Sequence, residues 1–202
     1  MDIAQFVLDA RLLPGGRLPL RVFEPRYLQM VADASAGRRP FGLCMPDRQN
    51  APNTPQRLSA IGTLVDVIDF EPLADGRLGI IVEGRQRYRI DSSYQQPDKL
   101  HVAQATLLPP WPEQPLHEPA SGLASLLEAV LTDHPELAAL YPQPQFADGA
   151  WLAARWLELL PLPAADYQQL AAAPDADEAL RYLHRQLDLS SSAKRPPSNT
   201  AY

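Results

Sequence analysis

The residues best suited to chemistry in this chain are few, and their spacing argues against catalysis. Only two lysines occur, Lys99 and Lys194. A nucleotide-phosphate loop needs a lysine directly behind a glycine-rich turn. A Ser-Lys dyad needs a buried lysine with a depressed pKa. Lys99 follows Gln96-Pro97-Asp98 and Lys194 stands in a polar terminal stretch, so neither lysine fits either pattern. The four histidines, His101, His117, His134 and His184, have no short ligand spacing with each other or with cysteine. No metal site is therefore expected. Cys44 sits in the apolar run Phe41-Gly42-Leu43-Cys44-Met45 and reads as a small core hydrophobe rather than a nucleophile. No catalytic residue and no cofactor is expected.

Two clusters could bind rather than react. Arg85, Arg87 and Arg89 alternate along a strand and share one face, with Gln86, Tyr88 and Ile90 on the other. One reading is a solvated face paired with acidic residues across the sheet. The other is a basic groove for an acidic peptide or RNA. RNA readout would want exposed aromatics beside the arginines, and only Tyr88 is near, on the opposite face. The second cluster is Arg21, Phe23, Glu24, Arg26 and Tyr27, where a strand passes into a helix. Glu24 and Arg26 are expected to fix the helix entry by charge, with Phe23 and Tyr27 packed inward. Alternatively, part of the cluster lines a peptide groove, together with Arg87. Gly15, Gly16, Gly62 and Gly84 are expected at turns or bulges.

The elements that must position these residues fall into two kinds. Strands are expected at Phe6–Leu8, Phe41–Met45, Ile61–Phe70, Arg77–Val82 and Leu100–Leu108. Asp75-Gly76 marks a hairpin turn, and Gly84 interrupts before the strand Arg85–Ile90. One helix begins at Pro25, where a missing N–H is harmless, continues through Tyr27, Leu28, Val31 and Ala34, and stops at Gly37. Residues 47–57 read as an exposed loop. Five prolines in residues 109–119 exclude a helix or inner strand, so this stretch reads as a linker or extended arm. Beyond it the pattern is helical. Ser121 caps a helix carrying Leu123, Leu126, Leu127, Val130 and Leu131. Trp151–Leu160 directs Leu152, Trp156, Leu159 and Leu160 inward and Arg155 and Glu158 outward. Pro163–Ala172 is a short helix. Asp175 and Glu178 form a capping box ahead of a helix bearing Leu180, Leu183 and Leu187.

Composition sets the class. At 202 residues and 46% hydrophobic, the chain can bury a real core. The net charge of -6 divides into about +1 over residues 1–110 and -7 over residues 111–202, which argues against non-specific nucleic-acid binding by the whole chain. No stretch reaches the ~20 apolar residues of a membrane helix. The N-terminus lacks signal-peptide features. With a single cysteine as well, a cytoplasmic, reduced location is expected. The organisation expected is a β-rich domain over 1–108, a proline-rich linker over 109–119, a helical domain over 120–189 and a disordered tail over 190–202.

Several motifs then carry a specific resemblance. They are Pro14-Gly15-Gly16-Arg17-Leu18-Pro19-Leu20, then Phe23-Glu24-Pro25-Arg26-Tyr27, Ile61-Gly62-Thr63 and Val82-Glu83-Gly84-Arg85-Gln86-Arg87, followed past the linker by Leu160-Pro161-Leu162-Pro163 and Gln169-Leu170. In this order and spacing they resemble the N-terminal substrate-binding domain of the Lon protease family, over about residues 5 to 189. One departure is Phe6-Val7-Leu8, where family members often carry F-P-L. The resemblance implies an α+β fold: a PUA-like β pseudobarrel with one helix, followed by a C-terminal helical bundle. It further implies a non-catalytic, ATP-independent polypeptide-binding module that takes unfolded or exposed apolar segments, with a separate protease or ATPase as a possible partner. An RNA-binding PUA-like protein and a small-molecule enzyme stand as alternatives.

Overall fold

The structure is a computed structural model that describes residues 1–47, 57–74, 77–116 and 121–192. Six strands come first, with one helix among them: β1 (Asp2–Val7), β2 (Arg17–Val22), α1 (Pro25–Ser35), β3 (Phe41–Asp47), β4 (Arg57–Pro72), β5 (Leu78–Gln95) and β6 (His101–Leu107). Five helices follow: α2 (Ser121–Asp133), α3 (Pro135–Ala138), α4 (Gly149–Leu159), α5 (Ala164–Ala172) and α6 (Asp177–Ser192).

The sheet order is β2-β5-β4-β3-β1-β6, and β5 pairs again with β6. Five strands thus close into a ring, and β2 is an added edge on β5. All pairings are antiparallel except β1 with β3. β5 is long enough to serve three neighbours because it bends at two irregularities, one between Gly84 and Gln86 and one between Ile90 and Ser92. The fold is α+β, as expected.

Two main cores hold it. Around α1, Phe6, Val22, Met30, Val31, Phe41, Leu43 and Val82 pack together, and Tyr27 stacks on Phe6 at 4.3 Å between ring centroids. Among the helices, Leu123, Leu127, Leu152, Trp156, Leu157, Leu170 and Leu183 form a second cluster, which Leu13, Met45 and Ile61 of the strand region join. Each fully buried leucine here contributes roughly 1.5–3 kcal/mol from burial. α4 is covered on more than one side: Ala150, Leu152, Ala153, Ala154, Arg155, Trp156 and Leu157 are all buried.

The structure corrects several details of the sequence reading. Gly84 does not end a strand; it sits at the β5 irregularity, and a methyl group there would run into the Leu13 carbonyl oxygen. Gly62 lies in β4 with the Tyr88 ring against it, and the register with β3 shifts just beyond its partner, between Cys44 and Pro46. Leu28, Leu126 and Leu159 are exposed although they fit the apolar spacing of their helices. Asp175 accepts from the Asp177 N–H, while Glu178 accepts from Gln169, so no reciprocal capping box forms. α6 continues through residues 190–192. The Asp75-Gly76 turn, residues 48–56 and the tail from residue 193 lie outside the described residues. Residues 109–116 lie against the helices: Trp111 donates to the Ala173 carbonyl at 2.8 Å, and Pro115 bridges to Asp148.

Candidate functional site

The β1–β2 loop, residues 8–16, runs between the barrel and α4 and forms one wall of a cavity of about 520 Å³. Gly15 turns the loop at φ 76°, a conformation open chiefly to glycine, and the Gly15 N–H donates to the Gly84 carbonyl at 2.8 Å. Pro14, Gly15, Arg17, Glu83 and Arg87 line the cavity on the barrel side. Pro110, Trp111, Tyr141, Pro142, Gln143, Gln145, Asp148, Trp151 and Ala154 complete it. Asp148 sets the start of α4: its carboxylate accepts from the N–H groups of Ala150 (3.0 Å), Trp151 (3.2 Å) and Gln114 (3.1 Å). That cap fixes Trp151 in the first turn, where Tyr141 and Phe146 meet its ring edge-on at 5.9 and 5.8 Å.

Two buried arginines stand behind this wall. Arg155 is 1% exposed. Its Nε and Nη2 hold Glu158 at 2.7 and 2.9 Å, and Nη2 also donates to the Pro14 carbonyl at 3.0 Å. Glu158 in turn accepts from the Leu13 N–H at 2.6 Å. The pair therefore clamps the loop onto α4, and the guanidinium lies over the rings of Tyr141 and Trp151. Both residues point inward rather than to solvent as sequence periodicity suggested, because the loop covers that face of α4. Arg87 is 2% exposed. It donates to the carbonyls of Ala171, Ala173 and Pro109 at 2.7, 2.8 and 2.6 Å and lies under the Trp111 ring. It ties the barrel to the end of α5 and to residues 109–111.

Burial lowers the Arg87 pKa to about 10, which still leaves it charged at neutral pH. Burial raises Glu158, opposed by Arg155. Tyr141 is pushed up to about 12 by burial and by Glu158, and burial alone pushes Cys44 up to about 12. Of the carboxylates around the cavity, Glu83 pairs with Arg17 at 2.6 Å, Asp148 holds three backbone N–H groups and Glu158 holds Arg155. These pairings hold the walls in shape.

With this geometry in view, comparison with known proteins places the chain. The profile of the ATP-dependent protease La (LON) substrate-binding domain matches residues 3–188. The chain belongs to this family. The Lon N-terminal domain protein of Xanthomonas campestris has a similar solved structure, with a TM-score of 0.72 and 29% identity, covering 92% of this chain and 98% of that one. The N-terminal domain of the Mycobacterium avium complex Lon protease shares the fold, with a TM-score of 0.60 and 20% identity, covering 95% and 98%. A Lon protease of Cytophaga hutchinsonii is 25% identical over 130 residues, which are 62% of this chain and 16% of that protein. This LON domain thus aligns with a small share of its curated relative.

The six residues singled out from the sequence do not converge in this LON domain. Only Arg87 lines the large cavity. Arg21 lines a smaller cavity of about 310 Å³ beside Leu20, Glu71 and Leu73. Glu24 and Arg26 pair at 2.7 Å at the entry of α1, as expected, and Arg26 also donates to the Lys99 carbonyl. Tyr27 is buried. Phe23, expected in the core, is instead 58% exposed: β2 ends before it, and Arg77 lies over its ring. The arginine stripe is also divided. Arg85 and Arg89 are exposed and paired with Asp66 (3.2 Å) and Asp91 (3.1 Å), whereas Arg87 is roofed by the helical part. Sequence reasoning missed Arg155, Glu158, Tyr141, Trp151 and Asp148. The run Asp148-Gly149-Ala150-Trp151 carried a legible cap signal. Among the described residues no group of acidic, histidine or cysteine side chains could hold a metal ion, and no helix is long and apolar enough to cross a membrane.

Proposed function

We propose that this LON domain is a polypeptide-binding module that holds exposed apolar segments of a client without breaking a bond, and that the cavity between the barrel and the helices is its binding site. The observation that carries this reading is the cavity's construction. Trp111, Tyr141 and Trp151, with Pro14, Pro110 and Pro142, supply apolar walls, and Gln143 and Gln145 supply side-chain amides. That combination suits an extended chain, which needs flat apolar surface for side chains and amides for its backbone. The nearby carboxylates and tyrosines are engaged or shifted away from neutral-pH proton transfer, which favours binding over catalysis.

Fluorescence anisotropy of a labelled, permanently unfolded polypeptide tests this, without nucleotide and at two salt concentrations. Saturable binding that survives the higher salt is expected. It should weaken roughly tenfold in Trp151→Ala or Tyr141→Ala, as for loss of an aromatic anchor. Absence of binding, or equal binding by folded variants, would overturn the assignment.

A further inference from the structure

We infer that the cavity accepts a carboxylate borne on an apolar body, and that in a polypeptide this is the C-terminal carboxylate; the second part rests on the polypeptide-binding reading above. The starting point is an unmatched donor. Arg155 Nη1 is buried with no hydrogen-bond partner among the described residues, although Nε and Nη2 of the same guanidinium are engaged. Buried donors are almost always matched, so this one calls for an acceptor.

Its position indicates where the acceptor would sit. Nη1 lies 3.3 Å from the point where a Cβ on Gly15 would stand, and Trp151 Nε1 lies 3.9 Å from the same point. Gly15 and Trp151 both line the cavity. Two side-chain donors thus converge on the point beside Gly15 where another residue would carry its Cβ. The indole N–H groups of Trp111 and Trp156, by contrast, donate to the Ala173 and Leu123 carbonyls.

The acceptor must arrive with the ligand, because the acidic groups nearby are taken. Glu83 holds Arg17, Asp148 holds three backbone N–H groups and Glu158 holds Arg155 and Leu13. Arg87 adds a charge held by carbonyl oxygens and the Trp111 ring. A single negative charge suits this wall. A phosphate monoester would bring about two charges beside Glu83 and Asp148, whereas a carboxylate brings one and accepts more strongly than a neutral carbonyl. Pro14, Pro110 and Tyr141 provide the apolar surface beyond. Because Nη1 has no contact with solvent, it marks a closed end, which suits a chain that stops there. The half-buried Trp151 is the side chain that must turn to admit an oxygen.

The test uses two labelled ten-residue peptides of identical sequence ending in leucine, one with a free carboxylate and one amidated, measured by anisotropy. N-acetyl-leucine serves as the small competing carboxylate. The free acid should bind at least about tenfold more tightly, the scale of one charge-assisted hydrogen bond. Trp151→Phe, which removes the indole N–H, should narrow that gap, read as the ratio of acid to amide affinity within the variant so that any loss of aromatic contact cancels. Arg155→Lys should narrow it further. Should that variant not fold, Trp151→Phe decides alone. Equal affinity of acid and amide, or a gap unaltered in Trp151→Phe, overturns the carboxylate inference, while the polypeptide reading is judged separately on the unfolded polypeptide. N-acetyl-leucine binding as tightly as the peptide acid overturns the chain-end part and identifies a small carboxylate as the ligand.

Discussion

Removing the charge at Arg155 should destabilise the protein in a pH-dependent way. Arg155→Met leaves Glu158 buried with only the Leu13 N–H and a long contact to the Tyr141 hydroxyl. The Glu158 side chain is 7% exposed, so solvent cannot replace the guanidinium. Breaking a buried pair by deleting one partner costs about 3–5 kcal/mol. For a chain of this size that is on the order of 6–20 °C in Tm. The Glu158 carboxyl already titrates above its ordinary value of 4.5, because burial outweighs Arg155. In the variant both lowering influences of Arg155 vanish, and the folded-state pKa climbs further. A group whose folded pKa lies above its unfolded one favours the folded state most below the unfolded pKa, and that advantage is lost as pH rises through the folded value. The stability gap between variant and wild type should therefore be widest near neutral pH and shrink as pH falls towards 4.5. Arg155→Met/Glu158→Met should recover part of the loss, since no charge is then buried unpaired, although the Leu13 N–H and the Pro14 carbonyl lose these partners, at about 1–3 kcal/mol for a buried group left unmatched. Urea denaturation at several pH values measures all three proteins. A neutral-pH loss below about 1 kcal/mol for the single variant, or a gap that does not shrink on acidification, would refute the reasoning.

Three further outcomes are expected. Gly84→Ala places a methyl against the Leu13 carbonyl oxygen and 3.2 Å from Thr63 Cγ2; it should cost at least about 1–3 kcal/mol in chemical denaturation, and an unchanged midpoint would show that the loop yields. Asp148→Ala removes the α4 cap and the Gln114 acceptor, so a loss of about 0.5–2 kcal/mol is expected, with weaker client binding as Trp151 loses its fixed position. Arg89→Ala should leave Tm within measurement error, because the Asp91 pair is exposed, whereas Arg87→Ala should lower it markedly by stranding three carbonyls; equal effects in thermal melts would contradict the division of the stripe.

Much of the fold was legible because it follows from local pattern. The strand at Phe41, the helix start at Pro25 and the short helix expected over Pro163–Ala172 rest on a short apolar run, proline placement and local pattern, and the structure has β3 from Phe41, α1 from Pro25 and α5 over Ala164–Ala172. The site was not legible, because its members gather from distant stretches of sequence. Arg155 looks like an outward residue by the periodicity of α4, and only the loop around Pro14, some 140 residues earlier, makes it buried. Arg87 shares a strand pattern with Arg85 and Arg89, yet its surroundings come from α5 and from Trp111. Phe23 failed in the other direction. An aromatic beside a helix start reads as core, but nothing in the sequence shows that the strand before it ends short of cover.

The ring of strands also bears on when the protein can fold during synthesis. β1 is made first, yet its two neighbours are β3 and β6, and its pairing with β6 joins residues about 100 positions apart, such as Asp2 with Gln104. One edge of the first strand can pair with β3 early, but the other stays open until β6, which ends at residue 107, has left the ribosome. Long-range closure of this kind gives a high contact order and slow folding, and the waiting strand is an aggregation risk. Slowing translation beyond residue 107 should therefore raise the soluble yield, and slowing it before residue 101 should lower it.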